Sequence, residues 1–221
     1  YPPLTDLPFH AANTSIFAHL GDPAFHFAEQ FELAPLEVPY LSSYLLGAVL
    51  MKVFSVPVAV KLATLVLLSL LPAGLGVLAR GLGKSPLLGL AALPLVWGHL
   101  THWGFIHFVG ALGLFAMALG LALVRADRAS SSDEVWLAVV LVLLHFTHVF
   151  RAPFALLAAL PPLAFAAWRE RRGRALWPLA PASTLLAGFW VNRPEIAAGG
   201  ELALSSPEWS RLEAFGRYVV D

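Results

Sequence analysis

The sequence predicts an all-α protein, a polytopic transmembrane helical bundle with interfacial amphipathic helices in its first external loop. The mean hydropathy of the chain is +0.74. Charged residues make up 13% of it, well below the roughly 25% of a soluble domain. Apolar runs close to the ~20 residues that a membrane-spanning helix needs recur along the chain. We therefore expect an integral membrane protein.

Residues 1–37 precede the first long apolar run, and we expect them to form an external loop. Phe9, Ile16, Phe17 and Leu20 have the spacing of one helical face, which predicts a helix lying on the membrane surface. The sequence "GDP" at 21–23 predicts a turn, and "AFHFAEQFEL" at 24–33 repeats the amphipathic pattern. The loop could also serve only to connect other segments.

The region 38–191 carries the predicted membrane helices, with about six crossings. A further run at 86–98 has only 13 residues and contains Pro94, which favours a re-entrant segment. Residues 192–221 are expected to begin an external segment, and the chain looks like a piece of a longer protein. The predicted crossings are 38–54, 62–79, 104–124, 135–150, 152–168 and 175–191.

Charge predicts the sidedness of these segments. The basic cluster Arg169–Arg174 lies between two apolar runs and is expected in the cytoplasm. Counting back by single crossings places 125–134 inside and 99–107 outside. Upstream, the preferred topology has 38–54 crossing inward, 62–79 returning outward and 86–98 dipping without crossing. Residues 1–37 then lie outside.

Composition excludes several kinds of function. The chain has no cysteine, which excludes disulfides, thiolate metal sites and cysteine nucleophiles. The net charge is zero, so nothing in the charge balance indicates a nucleic-acid partner. Histidines three residues apart, as at 99 and 102, could share a metal ion, but the H-E-x-x-H spacing is missing. A divalent metal is therefore possible but unsupported by spacing, and we expect no cofactor.

The predicted topology gathers most ionisable groups on the external face. Ionisable groups near the hydrocarbon boundary are costly and normally face a cavity, a partner or a substrate path. The alternative to a binding site is that the histidines and tryptophans lie at the membrane interface without a specific function. The candidate site residues are Asp6, His10, His99, His102, His107, His145, His148 and Arg151.

Several short stretches resemble the GT-C superfamily of polytopic membrane glycosyltransferases over residues 5–125. They are "KVFS" at 52–55, "AVKL" at 59–62, "ARGLG" at 79–83 and "WGFIHFVGALGL" at 103–114, where His107 stands in place of the usual asparagine. An aspartate early in an external loop, Asp6, and the surface helices after it are also similar to that family.

The resemblance implies the transfer of a sugar from a polyprenyl-phosphate donor to an acceptor on the extracytoplasmic face. Asp6 would then act as the catalytic base on the acceptor hydroxyl. Arg151, His145 and His148 would contact the phosphate of the donor, and the other histidines would bind substrate. No second acidic residue lies beside Asp6, which favours a metal-independent reaction. The implied partners are membrane lipid and the lipid-linked sugar donor, and the implied location is the bacterial inner (plasma) membrane.

A competing hypothesis from another class is a non-enzymatic transporter or membrane assembly subunit. Its external histidines would line a path or a docking surface. Internal inverted repeats would favour transport, and the sequence shows none across these helices.

Overall fold

A computed structural model describes residues 4–35, 40–128 and 130–192. Within these ranges every regular element is helical, which confirms the predicted all-α class. Val56–Gly81, Ile106–Asp127 and Val149–Glu170 are the three described helical segments that are long and apolar enough to cross a membrane. The chain is thus an integral membrane protein. The predicted external segment 192–221 lies outside the described residues, apart from Asn192.

From α4 onward the α-helices follow one another with connections of at most nine residues. Two 3₁₀ stretches, Pro86–Ala92 and Gly173–Leu179, precede short α-helices. The α-helices are α1 Leu7–His19, α2 Leu41–Leu50, α3 Val56–Gly81, α4 Leu93–Val96, α5 His99–Trp103, α6 Ile106–Asp127, α7 Ser131–Thr147, α8 Ala152–Glu170 and α9 Ala180–Asn192.

Helices α3 and α6 approach each other at backbone distance through glycines. A Cβ atom on Gly74 would overlap the carbonyl of Gly113, and a Cβ on Gly113 would overlap the backbone of Leu70. The same contact recurs one heptad later, between Gly81 and Gly120. Small residues at a membrane helix interface allow this approach, and dispersion forces between the backbones then stabilise it.

The glycine contacts show that α3 and α6 are parallel, because residue numbers rise together along both helices. The chain must therefore return from the end of α3 to the start of α6 within residues 82–105. The segment 86–97 makes this return along α3: Gly89 packs on Pro72, and Trp97 shares a cavity wall with Lys61. The 3₁₀ stretch Pro86–Ala92 rises about 2.0 Å per residue and α4 about 1.5 Å, so together they cover roughly 20 Å.

This path corrects the topology expected upstream. The segment 86–98 does not dip and leave on the same side, and 62–79 runs in the same direction as 104–124. Residues 40–54, the described part of the predicted crossing 38–54, do not cross the bundle: α2 begins beside His107, where Ser43 contacts that residue, and ends next to the start of α3. Helix α2 has 10 residues, or about 15 Å, half of the hydrocarbon thickness.

The remaining helices complete six passes of the bundle within the described residues. Helix α7 returns antiparallel to α6, α8 runs back, and the segment 173–192 returns again. Their apolar side chains form a core around Leu137, Leu141, Leu144 and Leu163. The histidine end of the bundle, defined by His107 and His148, is therefore opposite the arginine end, defined by Arg125 and Arg169–Arg174.

A buried ion network connects α6, α7 and α8 at the arginine end. Arg125 donates to Glu134 over 2.7 Å and, through both terminal nitrogens, to Glu170 over 2.6 and 2.9 Å. The indole nitrogen of Trp177 donates to the second oxygen of Glu134. Glu134, at the start of α7, thus links this helix to α6 and to the segment 173–179.

Residues 4–35, the described part of the predicted external loop, form one α-helix where the pattern predicts two. Helix α1 is present, with His10 and Thr14 facing the protein, while Phe9 is exposed. The second amphipathic stretch forms two short 3₁₀ turns, Pro23–Phe25 and Phe27–Glu29. His26, between them, has a φ of 55°, which breaks the helix.

The Gly74 contact can be tested by Gly74→Ala, with Gly188→Ala as the matched control. A methyl group at 74 meets the Gly113 carbonyl, whereas nothing lies within 4 Å of a Cβ at 188. We expect Gly74→Ala to lower the unfolding free energy in detergent by about 1–3 kcal/mol. Gly188→Ala should be neutral or slightly stabilising. Equal stability of the two variants would contradict the packing described above.

The ion network predicts that two Arg→Met changes lower the unfolding free energy by different amounts. Arg125→Met leaves Glu134 buried without its cation, which should lower the unfolding free energy by about 3–5 kcal/mol. The matched control is Arg128→Met, because Arg128 is exposed and lies 3.7 Å from Asp133; it should cost about 1 kcal/mol or less. Thermal unfolding in detergent measures both changes, and similar melting temperatures for the two variants would refute a stabilising network.

Candidate functional site

A cavity of about 440 Å³ opens at the histidine end of the bundle. We call it the site cavity. Helix α1, the residue before α2, the turn between α5 and α6, helix α6 and the residue after α7 all contribute to its wall. Its lining residues are Asp6, Phe9, His10, Tyr40, Leu100, Gly104, Phe105, His107, Phe108 and His148.

The position of Asp6 depends on the turn between α5 and α6. Gly104 has a φ of 95°, a conformation that favours glycine. A Cβ there would lie 2.7 Å from the backbone nitrogen of Asp6. The backbone nitrogen of Thr5 also donates to the carbonyl of His102 over 3.2 Å. This turn therefore fixes the backbone that places the Asp6 side chain in the cavity wall.

His107 is held in one orientation by Ser43. The Ser43 hydroxyl contacts both the Tyr40 carbonyl, over 2.8 Å, and Nε2 of His107. A carbonyl only accepts, so the hydroxyl donates to Tyr40, and Nε2 of His107 donates to the hydroxyl oxygen. Ser43 is buried and does not line the cavity. The Ser–His pair therefore positions His107 and is no exposed nucleophile.

His10 lies four residues after Asp6 on α1 and packs against His107, with ring centroids 4.3 Å apart. Its Nδ1 is 3.4 Å from the Tyr44 hydroxyl. Burial lowers the pKa of His10 below its usual value, and the charge of Asp6 opposes this only in part. Burial, and the charge of Asp6, raise the pKa of Tyr40. The structure thus favours a neutral imidazole and a neutral phenol beside the carboxyl group.

His148 completes the wall from the end of α7. Its ring packs edge-on against Tyr40 and Phe108, with centroids 5.8 Å away in each case. Its Nδ1 is buried and has no hydrogen-bond partner among the described residues. A buried polar atom without a partner is costly, so His148 has a hydrogen-bonding group that the described residues do not use.

The other predicted site residues do not line the site cavity. His99 and His102 are exposed, and the Nδ1 of His102 contacts the carbonyl of Gly98. His145 is buried near Phe189. The guanidinium of Arg151 lies 4.0 Å from the ring centroid of Phe108, so one aromatic ring separates it from the cavity.

Sequence reasoning missed three residues of the site: Tyr40, Ser43 and Tyr44. They lie within "PYLSSY", which reads as part of an apolar run. Their spacing of three and four residues places them on one face of α2, and this polar face was the available signal. A second hydroxyl contact, between Ser42 and Thr147 over 2.8 Å, ties the same helix to α7.

The lining groups supply a carboxylate, three imidazoles and a phenol within a largely apolar wall. Such a set can accept a proton at Asp6 and exchange hydrogen bonds with a hydroxyl-rich ligand. Among the described residues, no group of three His, Asp or Glu side chains is placed to hold a metal ion.

No protein-family profile, curated protein or solved structure matches the chain.

The environment of His10 predicts how stability changes with pH. The folded state disfavours protonation of this buried imidazole, whereas the unfolded state takes up the proton near pH 6.5. The unfolding free energy should therefore fall as the pH is lowered below 6.5. His10→Gln should make this decline shallower, and the exposed-site control His99→Gln should leave it unchanged. Thermal unfolding in detergent between about pH 5 and 8 measures the effect, and an equally steep decline in His10→Gln would contradict it.

Proposed function

We propose that the chain is part of a GT-C-like glycosyltransferase. It would transfer a sugar from a polyprenyl-phosphate donor to an acceptor hydroxyl on the extracytoplasmic face of the bacterial inner membrane. The observation that carries the proposal is the half-buried carboxyl group of Asp6 in the wall of the site cavity, beside His10 and Tyr40.

The proposed mechanism assigns Asp6 as the general base. A general base needs hydrogen-bond reach of the proton that it removes, and the site cavity gives an acceptor hydroxyl room to approach the carboxylate. His10 and His107, held by Tyr44 and Ser43, then offer hydrogen-bonding groups of fixed orientation to sugar hydroxyls. A preorganised set of this kind lowers the entropic cost of aligning the acceptor.

The donor phosphate needs positive charge near the cavity, and its walls contain neither lysine nor arginine. Arg151 is the nearest candidate along this wall because it lies behind Phe108. We assign the phosphate to the side of the cavity formed by Phe108 and His148. There the imidazole of His148 lines the cavity, and Arg151 adds positive charge from behind the ring of Phe108.

The transporter hypothesis finds less support in the packing. A transport path needs space through the bundle, and α3 and α6 leave none between them, because their backbones touch at Gly74 and Gly113. Transport into proteoliposomes that requires no lipid-linked sugar would nevertheless favour that hypothesis over the enzyme.

The test is Asp6→Asn in the full-length protein, assayed in membrane vesicles with radiolabelled polyprenyl-phosphate sugars. The amide keeps the size of the side chain but accepts no proton, so transfer should fall at least about 100-fold. The matched control is Asp22→Asn. Asp22 Oδ1 accepts from the Ala24 nitrogen outside the cavity, and asparagine retains this oxygen.

Asp22→Asn should therefore transfer sugar at the rate of the unsubstituted protein. Full activity in Asp6→Asn, with normal membrane insertion, would remove Asp6 from the mechanism. Failure of the unsubstituted protein to transfer sugar from any polyprenyl-phosphate donor would reject the reaction itself.

A further inference from the structure

The arginine end of the bundle carries an excess of positive charge. Eight basic residues lie there against four acidic ones among the described residues. The basic residues are Arg80, Lys84, Arg125, Arg128, Arg169, Arg171, Arg172 and Arg174, and the acidic ones are Asp127, Asp133, Glu134 and Glu170.

Five of these eight basic residues form no ion pair with a described residue. Arg125 pairs with Glu134 and Glu170, Arg128 lies near Asp133, and Arg169 lies 3.9 Å from Glu170. The other exposed cations, Arg80, Lys84, Arg171, Arg172 and Arg174, form no ion pair with a described residue. Unpaired guanidinium groups that remain exposed are available to an external anion.

Tryptophans fix the depth at which these cations lie. Trp136, Trp168 and Trp177 are exposed and surround the same end of the bundle. Exposed tryptophans of membrane proteins collect at the level of the lipid headgroups. Trp168 directly precedes Arg169, and Trp177 follows Arg174 by three residues. The unpaired arginines therefore lie at the depth of lipid phosphates.

A notch of about 230 Å³ opens between these arginines and the start of α7. Arg172, Arg174, Ser130 and Ser131 supply guanidinium and hydroxyl groups to its walls. The carboxylates of Glu134 and Glu170, also in its wall, are engaged by Arg125. Guanidinium and hydroxyl donors around a small opening match the oxygens of a phosphodiester.

We propose that this notch, which we call the arginine notch, binds the phosphate of an anionic phospholipid from the adjacent leaflet. Arg172 and Arg174 contact the phosphate, and the hydroxyls of Ser130 and Ser131 add hydrogen bonds. The net positive charge of this end selects an anionic headgroup over a zwitterionic one. The proposal does not depend on the enzymatic reaction at the opposite end of the bundle.

The experiment measures lipid binding to the full chain in detergent by native mass spectrometry. The probes are phosphatidylglycerol and phosphatidylcholine with identical acyl chains. We expect tighter binding of phosphatidylglycerol, and removal of two charges in Arg172→Gln/Arg174→Gln should weaken it by at least tenfold, since each basic residue near a headgroup changes affinity about fivefold. Binding of phosphatidylcholine should not change.

Two control variants make the result specific. Arg172→Lys/Arg174→Lys keeps the charge and should retain most of the preference for phosphatidylglycerol. If the double Arg→Gln variant fails to fold, the single variant Arg174→Gln replaces it. Lys52→Gln removes an exposed charge at the histidine end and should bind phosphatidylglycerol as the unsubstituted chain does. An equal loss in Lys52→Gln, no loss in the Arg→Gln variants, or equal competition by inorganic phosphate would overturn the proposal.

Discussion

Backbone contact between two parallel helices at Gly74 and Gly113 determines the order of the whole bundle. Two consecutive long helices that run in the same direction require the chain to cross back between them. The segment 86–97 does so in a tight groove on α3, where Gly76 and Gly89 admit close approach. A larger side chain at any of these glycines would separate the backbones and remove the dispersion energy that holds them.

This arrangement also builds the candidate site. Because α3 and α6 start at the same end, the residues before α3 lie beside the start of α6. Helices α1 and α2 thus form a layer over that end, where His10 and Tyr44 meet His107. The opposite end carries the other polar cluster, in which Arg125 joins α6, α7 and α8. An apolar core of bundle length separates these two polar clusters of the described residues.

The predicted crossings 62–79, 104–124 and 152–168 correspond to the three long apolar helices of the described residues, because apolar runs of about 20 residues have few other stable structures. The predicted re-entrant path of 86–98 was wrong. The length rule assumes the rise of an α-helix, whereas a 3₁₀ helix needs fewer residues to cover the same distance. Asp6, His10, His107 and His148 line the site cavity together, although the upstream topology from which residues 1–37 were placed at this end differs from the structure. His99 and His102 do not line the cavity. Sidedness predicts the end of the bundle at which a residue lies, but not the helix face that carries its side chain. Tyr40 and Tyr44 lie inside an apolar run; their spacing marks a polar helix face, but only the tertiary packing shows that this face meets His10 and His107.

The most direct test of this account is the sidedness of Lys84 and His99. Both are exposed, and the chain has no cysteine of its own, so Lys84→Cys and His99→Cys give single labelling sites. The account predicts that a membrane-impermeant maleimide reaches the two positions from opposite sides of the membrane, with Lys84 on the side of Arg172. Labelling of both positions from the same side would mean that 86–97 does not traverse the bundle, and would contradict the parallel packing of α3 and α6.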